Sequence, residues 1–377
     1  MAALAGARDC LAGQSRHAVV SRHQQSYHLR YNERGRLPRH SPPSSAQRSS
    51  WAGRLSYWVR RDDLLLVFVH TLWTGLGGEG HVETEWLGQV LKQHADARHK
   101  LVMGHHPVHP VNGFSGAYQR EIGPEHAAPF WDTLVRHGVL AYFCSHILAF
   151  DVQVHRGVLQ VCTAGAGTTH RMPEGIEYLH LVQASLDAQG LRYQVIDSEG
   201  RVREGLSWPF MLPPSEQWRV LPAPELAAPF SGSRDDRIAA WRFRGRTATN
   251  GGGAAQTLLS AFQPGTQEAL WIGLRGIDQR LTVIIGPETR RSPHYWHGPA
   301  LTPGADFDIR VVIHTGMGPG GIMCDAGDGS WSSLSAASPW GAERLDWPER
   351  WSIGYARGGS GDRPFRGHSL FVSHDER

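Results

Sequence analysis

Apolar positions along the chain change rhythm near its middle. Residues 64–69 (Leu64, Leu65, Leu66, Val67, Phe68, Val69) are continuously apolar, the pattern of a strand covered on both faces. Residues 55–59 predict a partner strand, with Arg60-Arg61-Asp62-Asp63 as the turn between the two. Val82, Trp86, Leu87, Val90 and Leu91 recur at helical spacing and predict an amphipathic helix over 82–95. A short apolar strand at 100–103 runs into Gly104-His105-His106-Pro107; a helix is expected over 125–137, and a strand at 140–144 ends in Ser145-His146. Alternating runs at 152–154, 159–163, 178–184 and 191–196 predict further strands, with turns at Arg156-Gly157, Ala188-Gln189-Gly190 and Ser198-Glu199-Gly200. Strand–helix–strand alternation followed by strands implies an α/β sandwich for this half.

Residues 208–233 break the rhythm. Six prolines crowd 209–229 without periodicity, which marks a linker. Beyond it no helical pattern is present. Alternating runs at 239–244, 257–262, 269–274, 280–285, 307–314, 351–355 and 369–373, separated by Gly and Pro, predict an all-β jelly-roll sandwich. A length of 377 residues accommodates two cores, and no run approaches the roughly 20 apolar residues that a membrane span needs. The four cysteines (Cys10, Cys144, Cys162, Cys324) show no CxxC spacing, so neither a thiolate zinc site nor a disulfide scaffold is expected.

Charge separates the first residues from the rest. Residues 1–61 hold eleven Arg against Asp9 and Glu33, a balance of +9 in a chain whose net charge is +3. A basic arm is a possible nucleic-acid or membrane-surface handle. With 36 Arg and 2 Lys in the whole chain, a general arginine bias is the better reading. Nucleic acid is therefore not an expected partner. Residues 1–50 are rich in Ser, His and Gln and are expected to be poorly ordered. Residues 1–20 lack the apolar core of a signal peptide, and the compartment stays open.

Two groups of residues carry candidate chemistry. Gly75-Leu76-Gly77-Gly78-Glu79-Gly80 matches GxGxxG between a strand and a helix. Glu79 would place negative charge against a pyrophosphate, so the glycines are read as shaping an active-site loop or a tight turn. The stronger group is His105 and His106 after one strand and His146 after the next. Open α/β sheets place their sites at the carboxyl ends of strands, and imidazole suits zinc and iron, with manganese when carboxylates share the shell.

At these motifs residues 51–200 resemble the C-terminal half of the calcineurin-like metallophosphoesterases, the superfamily that includes purple acid phosphatases. The likeness runs through Leu64–Val69, Trp86-Leu87, Gly104-His105-His106-Pro107, Tyr142-Phe143-Cys144-Ser145-His146 and Thr163-Ala164-Gly165-Ala166-Gly167. It implies a partial αββα sandwich over 51–207, a dinuclear centre of Fe, Mn or Zn class, and a phosphoester substrate. By that likeness His105 and His146 are metal ligands, and His106 and the 75–80 loop lie near the substrate. The family's second His of Gly-His-x-His is Leu148 here, and Asp151, three residues on, is the candidate oxygen ligand in its place. The chain contains no Asp-x-His, and none of Asn32, Asn112 and Asn250 is followed by His. The family's Asp-x-His, Gly-Asp and Gly-Asn-His motifs are thus missing as one block, and the expectation is a chain truncated at its N-terminus, weak or inactive as it stands.

Residues 234–377 resemble the laminin-G-like, concanavalin-A-like lectin family through Leu270-Trp271-Ile272-Gly273-Leu274, Asp308–Ile313 and Trp351–Tyr355. That likeness implies a glycan or protein ligand, with Trp296, Trp331 and Trp340 as stacking candidates. Asp325 and Asp328 are candidate Ca²⁺ ligands, though a solvated turn is the simpler reading. Two functional classes are open: a metal-dependent phosphoesterase-type hydrolase, or a non-catalytic glycan- or protein-binding module on a degenerate scaffold.

Overall fold

The computed structural model describes residues 19–22, 25–27, 55–71, 82–114, 121–165, 176–212, 218–220, 225–226, 238–249, 253–262, 268–286, 293–337, 341, 350–355 and 363–374. The chain divides into two compact units. One comprises Met1–Val111, Ser115–Val152 and Gly157–Phe210; the other comprises Asn112–Phe114, Gln153–Arg156 and Met211–Arg377.

The first unit contains strands β1 (Val19–Arg22), β2 (Gln25–Tyr27), β3 (Tyr57–Arg61) and β4 (Leu64–Phe68), then helix α1 (Thr84–Gln93) and β5 (His99–Met103). Helix α2 (Pro124–Arg136) and β6 (Ala141–Cys144) follow, then β7 (Phe150–His155), of which Phe150–Val152 belong to this unit, β8 (Val158–Thr163), β9 (His180–Asp187), β10 (Gly190–Asp197) and β11 (Val202–Trp208). One sheet has the order β3-β4-β5-β6-β8-β7, the other β11-β10-β9-β1-β2. Strands β4, β5, β6 and β8 are parallel, in register through Leu66, Leu101, Ala141 and Leu159. Parallel neighbours require crossovers; α1 lies in the one from β4 to β5, α2 in the one from β5 to β6, and β7 in the one from β6 to β8.

Each helix buries one stripe. Leu87, Val90 and Leu91 do so on α1, and Phe130, Trp131, Thr133 and Leu134 on α2. Pro124 occupies the first turn of α2, where its missing N–H costs nothing. The helix ends at Gly138, whose φ is 63°. The Gly138 amide donates to Val135 O at 3.1 Å and the Val139 amide to Leu134 O at 3.0 Å. This paired closure turns the chain sharply and feeds it into β6. The parallel strands bury Leu65, Val67, Leu101, Val102, Ala141, Tyr142, Leu159 and Val161.

The α/β sandwich expected over 51–207, with its αββα layering, is not the architecture found. The described residues of the whole chain form twenty-four strands and two α-helices. Strands β9, β10 and β11 are an antiparallel meander, joined by tight turns at 188–189 and 198–201. The physical reason lies in the connections. The α-helices are described only in the β4–β5 and β5–β6 links; the β9–β10 and β10–β11 links, at 188–189 and 198–201, are too short for one, so those strands return as hairpins. The expectation of poor order over 1–50 meets β1 and β2, which pair with each other, β1 also lying parallel to β9. The rest of 1–50 lies outside the described residues.

The described residues of the second unit form strands and one short 3-10 helix, Gly318–Gly321. Its strands are β12 (Arg219–Val220), β13 (Glu225–Leu226), β14 (Ile238–Arg246), β15 (Gln256–Phe262), β16 (Glu268–Leu274), β17 (Arg280–Ile285) and β18 (His294–Ala300). There follow β19 (Asp306–His314), β20 (Ile322–Asp325), β21 (Ser332–Ser333), β22 (Ser335–Ala336), β23 (Arg350–Ile353) and β24 (His368–His374). They form two antiparallel sheets, β12-β24-β14-β19-β20-β21 and β13-β23-β15-β16-β17-β18-β22. Trp241, Phe243, Ile309 and Val311 from one sheet share a core with Leu259, Ile272, Val283 and Trp296 from the other. The stretch read as linker, 208–233, supplies the two-residue edge strands β12 and β13. No helix among the described residues is long and apolar enough to cross a membrane.

Candidate metal centre

The candidate site stands where the parallel strands end. Past β4, β5 and β6 the ladder continues for a few residues: the Val69 amide donates to Met103 O at 2.8 Å, Gly104 to Phe143 O at 2.9 Å, and Ser145 to His105 O at 2.9 Å. This ladder places Thr71, His105, His106 and His146 side by side at the carboxyl ends of three adjacent strands. Gly104 is required by the close approach: a Cβ there would overlap Tyr142 Oη and stand 3.0 Å from Thr71 Cγ2. His146 adopts φ 61°, a left-handed conformation unusual for a residue with a Cβ. The turn is held by the Ile147 amide donating to Ser145 O at 2.7 Å. From below, the Cys162 thiol donates to Ser145 O at 3.4 Å. Strained backbone of this kind concentrates at functional sites.

His105, His106 and His146 each offer a ring nitrogen, and these atoms all lie within 4.8 Å of one another. The ring centroids are 5.0 Å apart for His105–His106, 4.9 Å for His105–His146 and 4.4 Å for His106–His146. His146 Nδ1 and His105 Nε2 are 2.9 Å apart. Two nitrogens sharing one tetrahedral zinc at about 2.05 Å stand roughly 3.3 Å apart, so this pair is close to the edge of a coordination shell. Burial pushes the His105 imidazole below its ordinary pKa, which favours the neutral ring, whose one bare nitrogen is able to ligate. A donor set of imidazoles suits zinc or ferrous iron better than magnesium or calcium. The described residues therefore include a histidine group able to hold one ion.

Not every candidate joins this group. Asp151 is buried in β7 and is not among the three clustered residues; its charge instead raises the pKa of the Cys144 thiol and the Tyr193 hydroxyl, both already raised by burial. The 75–80 glycine loop lies outside the described residues. Two contributors were not singled out from sequence. Thr71 accepts the amides of His105 and His106, each at 3.1 Å. Tyr142 donates its hydroxyl to His106 O at 2.6 Å. A hydroxyl residue two positions past a fully apolar strand was the available signal for Thr71.

In the second unit the aromatic and acidic candidates resolve mostly into structure. Trp296 is fully buried, and its indole N–H donates to Pro319 O at 2.9 Å. Trp331 is half-buried, with the Arg310 guanidinium 5.3 Å from its ring centroid. Trp340 lies outside the described residues. Asp325 is buried, ion-paired with Arg310, and accepts the amides of Gly327 at 3.2 Å and Gly329 at 2.8 Å. Asp328 accepts from the Ser330 amide and hydroxyl. These carboxylates close a turn. Asp325→Ala removes the partner of a guanidinium and two amides and should destabilise the second unit by about 3 kcal/mol. Thermal melts of the wild type should be unmoved by calcium or chelator in this unit; a calcium-dependent rise would mean a cation site.

No family model matches the chain, and no curated protein matches it. Solved structures resemble parts of it. GAP50, the anchor in the inner membrane complex of Plasmodium, is 14% identical over 38% of this chain and 48% of its own, with a TM-score of 0.29. Purple acid phosphatase PPD1 from yellow lupin seeds is 12% identical over 40% of this chain and 32% of its own, with a TM-score of 0.32. The CBM40 module of the Ruminococcus gnavus IT-sialidase, bound to α2,6-sialyllactose, is 13% identical over 41% of this chain and 89% of its own, with a TM-score of 0.30. The chain spans less than half the length of the first two.

Proposed function

We propose that the chain is a metal-dependent hydrolase of phosphoesters, built around one ion on the histidine group at the ends of β5 and β6. The observation that carries the reading is the meeting of three imidazoles from two adjacent strand ends, one of them, His146, held in a left-handed turn. His105 and His146 would hold the ion. An ion there supplies a Lewis acid for a phosphoryl oxygen and lowers the pKa of a bound water towards neutrality. The chain's own residues do the rest: Thr71 and Tyr142 fix the backbone on both sides of His106, and the buried strand ends exclude bulk water from one side of the site. The second carboxylate-rich ion site of a dinuclear centre has no counterpart in the clustered residues, so the reading is for one ion.

The test is metal uptake followed by turnover. Purified protein stripped with chelator and dialysed against zinc, ferrous iron or manganese should retain about one equivalent of zinc or iron. The loaded protein should hydrolyse p-nitrophenyl phosphate, and chelator should abolish that activity. Protein that retains no metal under any of these conditions would overturn the reading.

A further inference from the structure

We infer that Gln160 is a positioning residue of the metal centre: from β8 it clamps the chain that leaves His105-His106-Pro107, and so holds in place the strand end that carries His105. The positioning role rests on the one-ion reading above; the clamp does not.

Gln160 breaks the pattern of its strand. Strand β8 is buried from Val158 to Cys162, and Gln160 is the fully buried amide in its middle. An amide without partners there would cost about 1–3 kcal/mol, yet this one has three. Its Oε1 accepts the Val108 amide at 2.8 Å and the His109 amide at 2.9 Å, and its Nε2 donates to His109 O at 2.8 Å. Two N–H groups that meet one side-chain atom identify it as the oxygen, so the partners fix which way the amide faces.

The clamped segment needs such support. Residues 104–110 belong to neither helix nor strand, and their buried backbone groups must find partners outside a regular ladder. Those partners come from several directions. Thr71 accepts the amides of His105 and His106, Tyr142 donates to His106 O, and the Ile122 amide donates to Pro107 O at 2.8 Å. Tyr142 and Gln160 stand opposite each other in register on β6 and β8, so their side chains leave the same face of the sheet and reach successive parts of the segment. The His109 ring meets Trp131 of α2 edge-on, with centroids 4.6 Å apart. Thr71 and Tyr142 thus hold the near end of the segment, and Gln160 holds the far end. His105 Nε2 must keep its place beside His146 Nδ1, 2.9 Å away, for one ion to use both rings. Without Gln160 the Val108 amide, the His109 amide and the His109 carbonyl lose their side-chain partner, and the segment must shift to find others. Pro107, whose ring fixes φ, passes that shift back to the histidine pair.

The test uses the full chain, loaded with zinc or with cobalt(II) as its visibly absorbing stand-in. Gln160→Met keeps the length of the side chain and removes all three bonds. Its zinc affinity, measured by competition with a chromophoric chelator, should fall by about tenfold, the lower end of the range for groups that support a ligand from behind. Its cobalt absorption bands should move or change in intensity. A purely structural role would lower the melting temperature and leave both of these readings at their wild-type values. If the methionine variant does not fold, Gln160→Asn, which keeps the amide but is one methylene short of the segment, is read in the same two ways. A folded variant with wild-type zinc affinity and an unaltered cobalt spectrum would overturn the inference. A wild type that takes up neither metal sinks the hydrolase reading and the positioning role with it. The clamp is then read by hydrogen exchange of the Val108 and His109 amides, which should be slow in the wild type and fast in Gln160→Asn.

Discussion

Replacing His105 with alanine should remove metal from this protein. Zinc affinity should fall by at least about 100-fold, because deleting a ligand exceeds the 10- to 100-fold cost of disturbing the groups behind one. Hydrolysis of p-nitrophenyl phosphate should fall to background with it. The cause is geometric. His105 Nε2 and His146 Nδ1 stand 2.9 Å apart, and a lone His146 would bind no better than a surface histidine. His146→Ala should behave the same way, and His126→Ala, on helix α2 and outside the clustered group, should change neither readout. Thermal melts should show His105→Ala folded, since the ring nitrogen meets His146 Nδ1 rather than a core group and burial disfavours the charged form of the ring. Retention of one equivalent of zinc by folded His105→Ala would exclude the ion site described above.

The second large effect falls on Gly104. Alanine there would drive a Cβ into Tyr142 Oη and to 3.0 Å from Thr71 Cγ2. Neither neighbour can withdraw cheaply. Tyr142 is fully buried between strands and donates to His106 O, and the Gly104 amide is tied to Phe143 O at 2.9 Å. Overpacking of this kind costs about 1–3 kcal/mol, a shift of several degrees in the melting of the first unit. Metal affinity should fall as well, because the strain is relieved by moving the strand end that carries His105. Removing the hydroxyl separates this cause from others. Tyr142→Phe alone should cost about 1 kcal/mol by stripping the donor from a buried carbonyl. In the double variant the two losses should not add, and the coupling should exceed about 0.5 kcal/mol. Additive losses would mean that the hydroxyl is not what Gly104 makes room for.

How far the sequence reached depended on whether a residue's role was local. The apolar run at 64–69 became β4, the helical spacing of Leu87, Val90 and Leu91 became α1, and the alternating run at 307–314 lies within β19. Each obeys the period of its own element, so each was legible. Strand β18 was not, because Gly298 and Pro299 interrupt His294–Ala300; its pairing with β17, with Val283 opposite Trp296, and with β22, with Ala336 opposite Trp296, holds it in the sheet. The layering was also misjudged. Strands and two helices in alternation suggested a sandwich with helical layers, yet the short β9–β10 and β10–β11 connections return the chain as hairpins. Trp296 shows the same limit: an aromatic side chain reads alike whether it faces a sugar or a core, and here its indole is enclosed and bonded to Pro319 O.

The candidate site divides along the same line. The sequence by itself determined that His105, His106 and His146 follow apolar strands, because strand ends are written in local hydrophobicity. It also determined that Gly104 precedes the pair. Only the tertiary structure decided that β5 and β6 are parallel neighbours, which brings the three rings within reach of one ion. It left Asp151 in β7, outside that group. It set Thr71, thirty-four residues from His105, under both histidine amides. The reason is that a strand's period is fixed by its own backbone, whereas the partner beside it, and hence which side chains share a site, is fixed by packing between segments distant in the chain.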